Sequence, residues 1–177
     1  MNRSVLETKL TAAHQEFINY IKSLKQEEFL QMPGGKWSAG QELLHIYLSV
    51  KPFAQVLAAP KWLLKIVWGR ANRESRSYDD LVKKYEEKLR NGGRAAGRFI
   101  PPAVPFEKRD LLAGKMQSAV QSLNKKLGHF KEEELDKYIL PHPLLGKLTI
   151  REMLYFTVYH VQHHQRISSE KLEKKLA

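Results

Sequence analysis

Residues 149–167 read TIREMLYFTVYHVQHHQRI. Thr149 offers a hydroxyl N-cap, and Glu152 stands at the capping-box position three residues on. From there Ile150, Met153, Thr157, His160, His164 and Ile167 recur in steps of 3, 4, 3, 4 and 3. That is the seam spacing of a helix packed in a bundle. It predicts a helix running to about Lys174 and puts His160 and His164 where leucines ordinarily sit. Imidazoles four residues apart share one helix face. Burying both in an apolar seam is costly without a partner. A divalent cation between two neutral rings is one such partner; a hydrogen-bonded pair is the plainer alternative. His163 falls about 60° round the helix from His160, flanking the pair or facing solvent.

Three more segments carry helical periodicity, and none reads convincingly as a strand. The first helix is expected over about Val5–Leu24, with Ser4 as N-cap and Leu6, Leu10, Ala13, Phe17, Tyr20 and Ile21 as its apolar stripe. MPGGKWS (32–38) breaks it. The second begins at Ser38, an N-cap with Gln41 closing a capping box and Trp37 placed to pack over the first turn. Gln41, Leu44, His45 and Leu48 share one side, and Pro52 is expected to kink or end the helix. The third spans about Lys108–Phe130 on Leu111, Leu112, Met116, Val120, Leu123 and Leu127. KEEELDKYILPHPLLGKL (131–148) is expected to be a loop, broken by Pro141, Pro143 and Gly146.

Between the second and third helices, residues 53–105 form a long crossover. Within it KWLLKIVWG (61–69) suits an amphipathic helix. SYDDLVKKYEEKLRNGG (77–93) suits a short helix opened by Ser77 or Asp79 and closed at Gly92. GGRAAGRFIPPAVPF (92–106) suits an extended connection, since its prolines cannot donate to a helix ladder. Long connections in compact domains are often functional. The expected fold class is therefore all-α: one domain over residues 1–177, a four-helix bundle with one long crossover.

His45 lies on the second helix's inner side. A lone histidine there is more often a satisfied core residue, yet it is the best third partner for His160 and His164. Three histidines from two helices would make an open metal site. Glu42, one turn before His45, is a candidate to support a ligand from behind. His142, between two prolines, reads as a turn residue that could overhang the site. His14 reads as bordering the first helix's stripe, and His129 as a surface position. No HExxH is present, so the zinc-protease arrangement with its glutamate base is not indicated.

Composition narrows the classes. The chain has 177 residues, 42% hydrophobic and 28% charged, with no cysteine. Cysteine nucleophiles and thiolate metal sites are excluded. No apolar run approaches the roughly 20 residues that span a bilayer. The N-terminus, MNRSVLETKL, lacks the apolar core of a signal peptide, so a cytoplasmic location without membrane association is expected. Net charge is +11; residues 61–98 hold eleven Lys/Arg against five Asp/Glu. Such a surface keeps a protein soluble or attracts anions.

KWSAGQELLHI (36–46), HPLLGKLTIREML (142–154) and YHVQHHQRI (159–167) together resemble the DinB-like superfamily of metalloenzymes, which includes the YfiT-like proteins and the bacillithiol S-transferases. The resemblance runs from the first helix to Ile167 and is weakest over residues 53–105. It implies a bundle of up-down-down-up topology. It also implies a divalent metal, commonly nickel or zinc, held at positions matching His45, His160 and His164. The activity it implies is thiol S-transfer or metal-dependent hydrolysis on a small molecule, with a low-molecular-weight thiol as a further cofactor. Crossover basic residues would suit such a thiol's carboxylates. A homodimer is also expected, with Trp62, Trp68 and Phe99 as candidates for its patch. The competing reading is a non-enzymatic basic helical module binding nucleic acid or another anionic partner. No helix-turn-helix, aromatic RNA-binding motif or zinc-finger spacing supports nucleic acid.

Overall fold

Asn2, rather than Ser4, opens the first helix: its Oδ1 accepts the Val5 amide at 3.0 Å. The computed structural model describes residues 1–176. In chain order its helices are α1 (Arg3–Ser23), α2 (Gln26–Leu30), α3 (Ala39–Val56), α4 (Lys61–Trp68), α5 (Tyr78–Arg90), α6 (Arg109–Leu127), α7 (Glu134–Lys137) and α8 (Ile150–Leu176). The four long ones, α1, α3, α6 and α8, are the expected bundle. Both main capping boxes form: Ser38 Oγ accepts from the Gln41 amide and Gln41 Oε1 from the Ser38 amide. Thr149 and Glu152 exchange the same pair of bonds at the head of α8. Each satisfies two donors that a helix start leaves orphaned.

Contacts between helix ends set their directions. Asn124 of α6 donates to Thr11 early in α1, and Arg109 at the start of α6 reaches the Leu24 carbonyl beyond the end of α1, so α1 and α6 are antiparallel. The N-terminal amine meets Tyr155 and Tyr20 meets Ser168, so α1 and α8 run in parallel. Glu42 meets Lys171 while His45 meets His160, so α3 and α8 are antiparallel. The order is up-down-down-up, as the resemblance implied.

Two expectations are corrected. Residues 131–148 hold a short antiparallel hairpin, β1 (Ile139–His142) with β2 (Gly146–Thr149), registered Leu140 to Leu148. Leu140 and Leu148 turn into the core while Pro141 and Lys147 face out. Four residues per strand are too few for that alternation to stand out beside two prolines. Proline is tolerated because a two-stranded ladder is all edge. Secondly, of the two outcomes expected at Pro52, a kink or an end, the end does not occur: α3 continues through Val56. Proline removes one hydrogen bond, but Phe53, Ala54 and Leu57 beyond it are all buried, and that burial outweighs the loss.

The stripe expected to be the seam of α8 has another role. Leu154, Val158 and Val161, one face round from it, pack into the apolar core, and of the stripe itself Ile150 joins them there. Met153, Thr157, His160, His164 and Ile167 instead line a large cavity between α3, α5, α8, the hairpin turn and the strap 93–100. Of the expected dimer patch, Trp62 is exposed on α4 beside Ile66 and Val67, whereas Trp68 and Phe99 line the cavity half-buried. Among the described residues, no helix is long and apolar enough to cross a membrane.

Candidate metal centre

His45 enters from the second turn of α3, and His160 and His164 from one face of α8. Their ring nitrogens offer one atom each, all within 4.8 Å of one another. His160 Nε2 lies 3.2 Å from His45 Nε2 and 3.0 Å from His164 Nε2. All three residues are buried.

Bonds on the far sides of the rings set the proton positions. His45 Nδ1 lies 2.7 Å from the Phe99 carbonyl oxygen. A carbonyl only accepts, so Nδ1 carries the proton and the neutral ring's Nε2 is bare. His164 Nδ1 lies 2.6 Å from Glu42 Oε2, and the same argument bares its Nε2. His160 Nε2 can present one proton at most, to one of those neighbours. At least one lone pair therefore faces another nitrogen with nothing between them. Two nitrogens about 2.1 Å from one tetrahedral zinc lie roughly 3.4 Å apart, near the observed spacing. The donor set and its geometry suit a divalent cation.

Electrostatics favours the ligand forms. Burial pushes the His45 imidazolium down to about 4, against the pull of Phe99 and Glu42. Burial holds His160 well below its ordinary value, with neighbouring histidines adding to it. Both rings are thus neutral at pH 7. Burial by itself would raise the Glu42 carboxyl. The hydrogen bonds from His164 and Lys171, together with the Lys171 ammonium, outweigh it and hold the carboxyl below its usual value. Lys171 Nζ also donates to the Trp37 carbonyl, tying the far end of α8 to the α3 cap. Glu42 therefore supports His164, across the helix pair, rather than His45 on its own helix.

Aromatic rings enclose the cluster. Trp37 packs on His45 with centroids 4.9 Å apart and stacks on His164 at 6.4 Å, going beyond its expected capping role. Phe156 stacks on His160 at 4.6 Å. Tyr85 of α5 meets His160 edge-on at 6.1 Å and lines the same cavity. Burial pushes its phenol upward, so it stays protonated and available as a donor.

The remaining histidines divide. His163 borders the cavity, half-buried between Tyr85 and His164. His142 is more than a turn residue: it is buried, packs on Phe156 at 4.3 Å, and its Nδ1 accepts the Leu144 and Leu145 amides. His14 is no boundary residue but lies fully in the core, 1% exposed, donating to the Leu10 carbonyl. His129 is exposed, as expected. Sequence reasoning missed Tyr85, the Phe99 carbonyl and Lys171. Only Tyr85 left a trace, as an apolar-face position of a charged helix.

Comparison with known proteins agrees with this architecture. An uncharacterized Bacillus subtilis (strain 168) protein, YuaE, is 26% identical over 169 residues, covering 92% of this chain and 94% of its own. A crystal structure of a conserved Enterococcus faecalis protein superposes with a TM-score of 0.62 at 16% identity, over 97% of this chain and 95% of that one. That likeness concerns the fold. The family model of the DinB superfamily matches residues 9–168, from the second turn of α1 to beyond the paired histidines, and the chain belongs to that superfamily.

Proposed function

We propose that this protein is a metal-dependent enzyme acting on a small molecule, with His45, His160 and His164 holding one divalent cation, nickel or zinc. The convergence of three Nε2 atoms carries the reading, two of them bared by bonds on the opposite sides of their rings. When bound, such an ion supplies Lewis acidity that favours the deprotonated form of a water or thiol. The reaction classes this supports are thiol S-transfer and hydrolysis.

The chain's own residues do the rest. The Phe99 carbonyl and Glu42 hold two rings in the tautomer and orientation that a ligand needs. Trp37 and Phe156 exclude water from the inner side of the cluster, strengthening every charge interaction there. Tyr85, protonated throughout the working pH range, donates a hydrogen bond to an electrophilic oxygen or leaving group beside His160.

Elemental analysis of the purified chain, alongside His45→Ala, His160→Ala and His164→Ala, tests the proposal. The expected result is about one nickel or zinc per wild-type chain, lost from each variant. Full occupancy in all three variants ends the reading. Chelation should abolish turnover in assays of thiol conjugation and ester hydrolysis, and added nickel or zinc should restore it.

A further inference from the structure

The cavity is larger than the histidine cluster needs, about 1050 Å³, above the usual range of small-molecule sites. Its walls are unevenly distributed. From His45 the α3 wall continues through Ile46, Val50 and Phe53 to Val56, eleven residues on, or about 16 Å of helix. Because α8 is antiparallel, its wall follows the same direction, from His160 through Phe156 back to Met153. The arm leading away from the histidines is thus lined chiefly by aliphatic and aromatic side chains.

Charge gathers at the opposite end. Lys36 precedes the tryptophan that packs on His45, and Arg98 precedes the residue whose carbonyl holds His45. Both are exposed at the cavity, and among the described residues neither has an ion-pair partner. Two other charges there are paired, Lys171 with Glu42 and Glu170 with Arg166; Arg94 keeps its charge but commits N–H donors to the Leu89 and Gly93 carbonyls. A dication on three neutral histidines would make this end more positive still.

We propose that the ligand of this cavity is an amphipathic organic anion. Its charged head lies between Lys36 and Arg98 beside the histidines, and its extended apolar tail lies along the α3–α8 arm. The assignment deepens the metal-site reading and rests on it for the reactive end, while head and tail recognition use residues outside the cluster. An alkyl carboxylate and an alkyl phosphate share the required chemistry, and separate probes distinguish them.

The test is isothermal titration of the full chain, both chelator-treated and nickel-loaded. The probes are hexanoate, octanoate, decanoate, decyl phosphate and 1-decanol. Affinity is expected to rise about fourfold per added methylene across the carboxylates. The double variant K36A/R98A should weaken decanoate roughly tenfold, the loss of two exposed charge pairs, and leave decanol unchanged. Val56→Trp, which narrows the far end of the arm, should weaken decanoate and spare hexanoate. Tighter binding of decyl phosphate than decanoate would identify the head as a phosphate, and the reverse as a carboxylate. Affinities flat with chain length overturn the tail assignment. A double variant that binds decanoate like wild type overturns the head assignment. Decanoate binding to chains that never take up nickel or zinc supports the ligand class while sinking the metal reading. Stoichiometric nickel with no alkanoate binding does the opposite.

Discussion

Helix α8 carries a buried polar cluster at each end of its core-facing length, and the two are built on opposite principles. Near its start, Glu152 is fully buried and saturated. Arg73 grips both oxygens at 2.7 and 2.8 Å, Arg76 donates its backbone and side-chain N–H groups, and the Thr149 amide completes the set. Burial by itself would raise this carboxyl, but those donors, Arg73 foremost, hold it low. Two to three turns on, His160 and His164 share a buried setting with His45, yet their three facing Nε2 atoms hold at most one proton among them. A saturated cluster locks the crossover to the bundle. An unsaturated one presents converging lone pairs that suit a cation. Buried polar residues divide here by whether their own fold completes them.

That division can be broken by experiment. The largest expected effect is at the unsaturated end. His160→Ala should weaken nickel or zinc binding by on the order of a thousandfold, about 4 kcal/mol, judged from structural zinc sites. Competition with a chromogenic chelator measures it. Urea unfolding of the metal-free variant should show little loss, or a gain, because a poorly paired buried imidazole is removed. Loss of several kcal/mol in the metal-free state would make the cluster structural.

Glu152→Ala should behave in the reverse way. It strands two partly exposed arginines and a buried amide, costing about 3 kcal/mol in urea unfolding, while the folded fraction binds metal as wild type does. Unchanged stability would remove the lock.

His14 is the intermediate case, with one nitrogen satisfied and Nε2 buried without a partner. Burial pushes its folded-state pKa down to about 4, against the Leu10 hydrogen bond. The unfolded chain takes up the proton near the ordinary 6.5. Stability from neutral His14 is therefore fully present above pH 6.5 and is lost as pH falls from there toward 4, by up to roughly 3 kcal/mol. Measured against His14→Leu, wild type should lose ground across that window and level off below it. A difference independent of pH would mean that the ring is not held neutral. The smallest effect is expected for Glu42→Gln, which keeps a hydrogen-bond acceptor but loses the charge. Metal affinity should fall about tenfold to a hundredfold, by the same chelator competition, with His45 and His160 still in place.

Legibility in the sequence followed the range of the interaction. The Ser38/Gln41 and Thr149/Glu152 boxes were readable because all their atoms lie within one turn. The His160–His164 pair was readable because four residues bring two side chains to one face. The hairpin was not, since pairing Leu140 with Leu148 is a tertiary choice that two prolines obscured. Nor was the role of the α8 stripe. Periodicity gives a face, but whether that face meets leucines or an open cavity depends on how far α3 and α8 stand apart.

By itself the sequence determined the four long helices, the capped starts of α3 and α8 and the two histidines that share a face, because each follows from neighbours within a few residues. Tertiary structure decided that His45 meets that pair from across the bundle. It also decided that Glu42 and the Phe99 carbonyl bare the facing nitrogens, and that a basic strap and an apolar arm adjoin them. Those partners are 54 to 122 residues apart in sequence. Only packing can bring such distant groups within hydrogen-bond reach and exclude the water that would otherwise satisfy them.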